Sequence, residues 1–285
     1  MAHGFNGSPE NEWGVNPTIV EALRSDGHQI YVARVSPFQS VTVRGGELAQ
    51  EIDRALLEFD ADKVNVIAHS MGGLDSRYAI SALGYDDRVA ALVTISTPHR
   101  GSLSADAALG LIPGLLDAAL NALTRAFART FTSDELANNS DLRAAFASIS
   151  EDKAPAFNEA HPDVAGVYYQ SWAGLSNAGR IGLDSDLGPC QVDGGKLYFS
   201  DGKRDFMDLR LVLGAAIVAH GTSLLPNDGM TTIESARWGD FMGCIPADQY
   251  DEIGQVDDEG PQSATGFDAE AFYRTIAFDL ELRGY

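Results

Sequence analysis

With 285 residues, 45% of them hydrophobic, the chain is long enough to bury a substantial core as one large or two small domains. Its 41 acidic residues against 20 basic ones give a formal net charge of −21, which excludes nucleic acid and anionic membrane surfaces as electrostatic partners. No apolar run reaches the roughly 18 residues of a transmembrane helix. The carboxylates are spread along the chain, a pattern of solubility rather than of an acidic tail.

Met1-Ala2 leads at once into His3-Gly4-Phe5-Asn6-Gly7, so no secretory signal peptide is legible. That run reads as a flexible loop whose glycines let backbone amides point inward. Its place at the very terminus, with no strand ahead to hold it, is that of a fragment or a miscalled start. Pro17 to Ser25 follows as a helix with Ile19, Val20 and Leu23 on one face, closed by Asp26-Gly27. Gln29 to Val35 reads as a buried strand ended by Ser36-Pro37. Arg44 to Phe59 places Leu48, Ile52, Leu56 and Phe59 at helical spacing.

Val64 to Ala68 is a strand that runs straight into His69-Ser70-Met71-Gly72-Gly73 and then a helix, Leu74 to Leu83. A serine at such an elbow stands exposed at the carboxyl end of a strand, and small residues flank it because strand and helix backbones meet there. Ala68 and Gly72 hold those positions, giving Ala-x-Ser-x-Gly where Gly-x-Ser-x-Gly is commoner. The competing reading is a buried turn whose serine only caps the helix. Ala90 to Ile95 is a further strand, ending in Ser96-Thr97-Pro98-His99-Arg100-Gly101-Ser102. Alternating strands and helices predict a parallel sheet with sites at the carboxyl ends of its strands.

From residue 104 to 161 the pattern becomes one long helical region, unusually apolar and broken by Pro113-Gly114. It reads either as a core helix of a cap or as a mobile lid with an apolar face for lipid. Val164 to Trp172 resumes the sheet, and Val192 to Asp201 suggests a small antiparallel addition. Asp228 lies in the tight turn Asn227-Asp228-Gly229-Met230, after the segment Leu211 to His220, which reads as a strand. Ala247 to Gln255 is a polar loop, and Asp268 to Leu282 an amphipathic closing helix. Two cysteines, Cys190 and Cys244, permit a single disulfide, and neither neighbours a ligand cluster or the elbow.

Acyl transfer by serine needs a nucleophile, a base, a carboxylate to orient the base and two amide donors for the oxyanion. Ser70 supplies the first, the Met71 and Phe5 amides suit the donors, and Asp228 suits the carboxylate. His3-Gly4-Phe5, Ala68 to Gly73, Ile95 to Ser102, Gly166 to Gly174 and Asn227 to Met230, in this order, resemble the bacterial true lipases of the Pseudomonas and Burkholderia type. The elbow is also similar to that of the small Bacillus lipases.

The resemblance implies an α/β-hydrolase fold in a single domain over 1–285, with a helical lid at 104–161. It implies hydrolysis of carboxylesters or triacylglycerols at a lipid–water interface, secretion, and in many such lipases a foldase partner. A structural calcium ion is implied too, held by Asp208, Asp251 and the backbone carbonyl of Gln255, the alternative being solvated carboxylates.

In that family the loop after the aspartate reads His-x-Asp-Glu-x-x-Gln, with the histidine as general base; here Gln249 stands at that place in Gln249-Tyr250-Asp251-Glu252. Glutamine does not titrate near neutral pH, and no histidine follows Asp228. His220 is the one substitute base to weigh. An engineered exchange and a natural pseudoenzyme that binds a lipid or protein partner through its lid are the other readings.

Overall fold

The computed structural model describes residues 1–7, 14–116, 118–119, 122, 140–177, 188–191, 205–255 and 265–285. In chain order the described elements are α1 (Pro17–Ser25), α2 (Val41–Phe59), β1 (Val64–His69), α3 (Met71–Leu83), β2 (Val89–Ile95), α4 (Leu103–Ala108), α5 (Ser140–Ser148), α6 (Ala154–Ala160), β3 (Tyr168–Gly174), β4 (Ser176–Asn177), β5 (Asp205–Phe206), α7 (Leu209–Val218), α8 (Ile233–Ala236), β6 (Asp240–Ile245) and α9 (Ala269–Leu282). The main sheet has the order β1-β2-β3-β6, with every neighbouring pair parallel. Such a sheet must be covered on both faces, which is why β2 is apolar along nearly its whole length and buried at Val89, Ala91, Leu92, Val93 and Ile95.

Each face has its own apolar layer. Ile19 and Leu23 of α1 and Phe272 and Ile276 of α9 pack with Ala91, Val93 and Ile95. On the other face Leu48 and Ile52 of α2 and Ile80 of α3 pack with Val66 and Leu92. The helix starts follow ordinary capping chemistry: Asn16 accepts from the Thr18 N–H ahead of Pro17, and Ser40 accepts from the Val43 N–H. Among the described residues no helix is long and apolar enough to cross a membrane.

Several local expectations need correction. Gln29 to Val35 forms no ladder of its own. Met1 and Ala2 lie between it and β1, with Ala33 N–H donating to Met1 O (3.0 Å), Ala2 N–H to Ile67 O (2.9 Å) and His69 N–H to Ala2 O (3.0 Å). Beta propensity needs a partner, and only these two residues provide one; a cavity of about 410 Å³ lined by Gln29, Tyr31, Val64 and Val66 lies alongside.

Leu211 to His220 is not a strand but most of helix α7, because Leu211, Ala215 and Val218 recur at helical spacing and are buried while Leu209 and Leu213 are exposed. Strand β6 escapes a pattern reading, since its apolar residues are interrupted by Gly243 and preceded by Asp240. The expected antiparallel addition at Val192 to Asp201 lies outside the described residues, and the small sheet that is described pairs β4 with β5 in parallel. The helical region from 104 to 161 is divided: α4, α5 and α6 are separate helices, with a turn at Pro113-Gly114 and residues 123–139 outside the described set.

Candidate active site

Strand β1 delivers Ser70 to the carboxyl edge of the sheet in a backbone conformation that side chains rarely adopt, φ +53° and ψ −130°. The neighbours hold it there. The Ser70 N–H donates to Ile95 O (2.8 Å), and Thr97 Oγ1 donates to Ser70 O (2.7 Å). The His3-Gly4-Phe5 loop presses against the elbow so closely that a Cβ on Gly4 would lie 2.7 Å from Ser70 Cβ, and one on Gly72 would lie 2.7 Å from His3 O. Both positions therefore require glycine for space rather than for flexibility.

Asp228 is fully buried in the turn after α7. Its Oδ1 accepts from the N–H groups of Met230 (2.8 Å) and Thr231 (2.7 Å), and its Oδ2 accepts from Gln249 Nε2 (2.7 Å). Burial pushes the carboxyl up, opposed by these donors. The loop carrying Gln249 is polar by sequence yet buried from Ala247 to Ile253. Gln249, Ser70, Gly4, Phe5, Phe146 and Met230 all line one narrow cavity of about 20 Å³, room for about a single water molecule.

Beneath the cavity lies a second buried carboxyl group, which sequence reading passed over. Glu252 Oε1 accepts from Ser96 Oγ (2.6 Å) and Oε2 lies 2.9 Å from His69 Nε2. Burial, then the negative charge of Asp228, holds Glu252 well above the usual carboxylate range, while burial pulls His69 down to about 3. His69 is thus a neutral imidazole bound to its own partner. Ser96, itself at φ +47°, also receives the Gly174 N–H (2.9 Å), so β2, β3 and the Gln249 loop meet at one hydroxyl.

The model of the alpha/beta hydrolase fold family matches residues 1–171. The chain belongs to that family. A triacylglycerol lipase of Vibrio cholerae is 32% identical over 186 residues, 59% of this chain and 59% of that protein's length. One of Burkholderia plantarii is 27% identical over 293 aligned positions, covering 93% of this chain and 80% of the relative. Among solved structures, Bacillus licheniformis lipase BlEst2 in its mature form superposes with a TM-score of 0.62 at 21% identity, covering 89% of this chain and 85% of that one. Staphylococcus hyicus lipase gives 0.63 at 17% identity, covering 98% and 93%. The match to the Vibrio relative leaves about two fifths of that relative unaligned, and the structural likenesses establish the fold alone.

Within this alpha/beta hydrolase frame, Arg44 supports the loop beside Ser70. It is fully buried; Nε donates to Asp75 Oδ2 (2.8 Å), Nη1 to Ser36 O (2.6 Å), and Nη2 to His3 O (2.9 Å) and Gly4 O (3.2 Å). An arginine three residues into a helix reads as surface charge, so only the packing of α2 on α3 discloses its role. The expected disulfide is present: Cys190 and Cys244 are bonded, tying the 188–190 turn to β6.

The predicted metal residues are only partly brought together. Asp208 caps α7 and is taken by Arg210, whose Nε and Nη2 lie 2.9 and 2.8 Å from its carboxylate oxygens. The Gln255 side chain donates to Gly14 O (3.1 Å). Asp251 instead joins Asp205 and Asp248, three buried carboxylates whose oxygens lie within 4.8 Å of one another. Burial, then Asp205, pushes Asp248 up to about 7. Asp205 and Asp248 were missed because they are 43 positions apart, and only two residues separate Asp205 from the more obvious Asp208.

The other histidines do not line the cavity shared by Ser70 and Gln249. His3 Nδ1 meets Gly4 O (3.1 Å), and His99 is stacked on Trp238 and bonded to Thr94 Oγ1 (3.1 Å). His161 lies against Ser81 (3.1 Å), and His220, the substitute base weighed from sequence, pairs with Glu151 (2.9 Å).

Proposed function

We propose that this chain is a serine ester hydrolase of lipase type, in which Ser70 is acylated by carboxylic esters, Phe5 and Met71 amides receive the oxyanion, and Asp228 orients the residue at position 249. The observation that carries it is the 2.7 Å bond between Gln249 Nε2 and Asp228 Oδ2, with Gln249 and Ser70 sharing one cavity. A triad base bonds its carboxylate and faces its serine, and the Asp228 bond and the shared cavity support Gln249 as the residue at that position. Curated relatives named triacylglycerol lipase support an acyl ester of lipid type as the substrate.

Gln249 can hold a hydrogen-bonded serine but cannot accept its proton at neutral pH, so turnover is slow. The same residue favours a second reading, a silent hydrolase fold that binds an acyl ligand through its cap. The two part on one measurement. Hydrolysis of short- and long-chain esters is expected above background and is expected to vanish in Ser70→Ala; retained acyl binding with no turnover in the unmodified chain selects the silent form.

The cavity is too small for an ester, and Phe146 and Ile149, at α5 and just beyond it, close it over Phe5, with the Phe5 and Phe146 rings 5.0 Å apart. We read the 104–161 region as a lid within a single domain, displaced when substrate enters. Its apolar inner face suits a lipid–water interface. A foldase has no support beyond the resemblance. The disulfide suits an oxidising, extracellular setting.

Asp205, Asp248 and Asp251 fit a hard divalent cation, because three clustered carboxylates in a buried site carry a charge that such an ion neutralises with oxygen ligands. Calcium bound there would brace the turn that carries Gln249. Saturating calcium, at about 100 times its dissociation constant, is expected to add about 2.7 kcal/mol and to raise the melting temperature by roughly 5–10 °C. Asp205→Asn is expected to abolish that rise in differential scanning fluorimetry, and Asp208→Asn to keep it.

A further inference from the structure

The absence of a base beside Ser70 bears on which esters this site can open. Of the eleven described residues lining the cavity, His69 is the only one with an imidazole, carboxyl or amine side chain; burial keeps it neutral, and its Nε2 is already bound to Glu252. The remaining described lining residues are aliphatic, aromatic, thioether, hydroxylic or amide in character, with no carboxylate, lysine, tyrosine or cysteine among them. The histidine of an ordinary triad performs two proton transfers in acylation: it removes the serine proton and then gives it to the leaving group. Gln249 performs neither.

We propose that the Ser70 site is selective for esters whose leaving group departs as a stable anion, namely aryl esters, enol esters and thioesters, over glycerol and other alkyl esters, and that the acyl group then remains on Ser70. This rests on the reading of Ser70 as nucleophile. In the first step the Oγ–carbonyl bond forms, the carbonyl–leaving-group bond breaks with its electron pair going to the aryloxide, enolate or thiolate, and the hydroxyl proton passes to water. An alkoxide would need a donor as it leaves, and among the described residues lining the cavity there is no acid to supply the proton. In the second step a water oxygen must bond to the acyl carbon while Oγ departs and takes back a proton. That water meets the same lack of a base, so deacylation lags acylation.

The test uses the full chain and a butyrate series with p-nitrophenol, phenol, trifluoroethanol and ethanol as leaving groups. Second-order acylation rates are expected to fall steeply along the series. Relative to Gln249→His, aryl over ethyl preference is expected to be about 10²–10⁴ greater, the span that general acid–base catalysis supplies. Intact mass spectrometry after mixing with p-nitrophenyl butyrate is expected to show one butyryl adduct that maps to Ser70, persists beyond the release of nitrophenol and is absent in Ser70→Ala.

If Ser70 is acylated but the native chain opens ethyl and aryl butyrates in the same ratio as Gln249→His, the leaving-group inference fails and the nucleophile reading stands. If p-nitrophenyl butyrate is cleaved equally by Ser70→Ala, or no ester acylates the chain, both fail. Should Gln249→His not fold, the native series decides alone: a flat dependence on the leaving group, or an adduct lost as fast as it forms, overturns the proposal.

Discussion

Replacing Gln249 with histidine is expected to raise ester hydrolysis by about 10⁴-fold, the usual consequence of having or lacking a triad base. The position is prepared for it. Gln249 already donates to Asp228 Oδ2 at 2.7 Å, and a histidine there would donate one ring N–H to the same oxygen and present its other nitrogen toward the shared cavity. Asp228 is pre-set by two backbone donors, so its geometry does not depend on the residue at 249. The rate is checked by kcat/KM on p-nitrophenyl and alkyl butyrates, with Ser70→Ala in the same background as the zero. A variant that folds normally yet gains less than about tenfold would mean that Ser70 and position 249 are not poised for proton transfer.

Arg44→Met is expected to cost about 3–5 kcal/mol, because it strands the buried Asp75 carboxylate and removes the donors to three carbonyls. In a chain of this size that is a fall of roughly 5–10 °C in melting temperature. Burial already pushes Asp75 up to about 6 with Arg44 in place. Adding Asp75→Leu to Arg44→Met is expected to recover part of the stability, since no charge is then left unpaired. It is not expected to recover acylation of Ser70, because His3 O and Gly4 O remain without the guanidinium that holds their loop. Thermal unfolding and labelling of Ser70 by a fluorophosphonate separate the two effects. Equal recovery of both would mean that Arg44 acts on stability alone.

How far the fold was legible follows from where its information lies. Local signals sufficed for α1, α2, β1, α3, β2 and α9, each with a clean apolar period and a recognisable cap or stop. They failed for Gln29 to Val35 and for α7, where strand-forming residues occur in a segment whose state is decided by what packs beside it. In the site, Ser70, Asp228 and Gln249 were legible because the elbow and turns have sequence signatures. Arg44, Glu252, Asp205 and Asp248 were not, since a buried charge and a surface charge are the same letter. Asp208 was read as a ligand from its letter alone: a helix cap and a metal ligand are both aspartates near a turn, and only the structure shows its carboxylate engaged by Arg210.

The Cys190–Cys244 bond closes a stretch of 54 residues, and that stretch contains Asp205, α7 and Asp228. Cross-linking a loop of this length removes roughly 4 kcal/mol worth of freedom from the unfolded chain on the chain-entropy account. The redox state of the surroundings therefore acts on the carboxylate beside Gln249 and on one member of the aspartate cluster together, through chain topology and without contact with either. Protein made where thiols stay reduced would lose that contribution and hold the same folded site with a smaller margin of stability. Preparations of identical sequence would then differ in stability according to the compartment in which they matured.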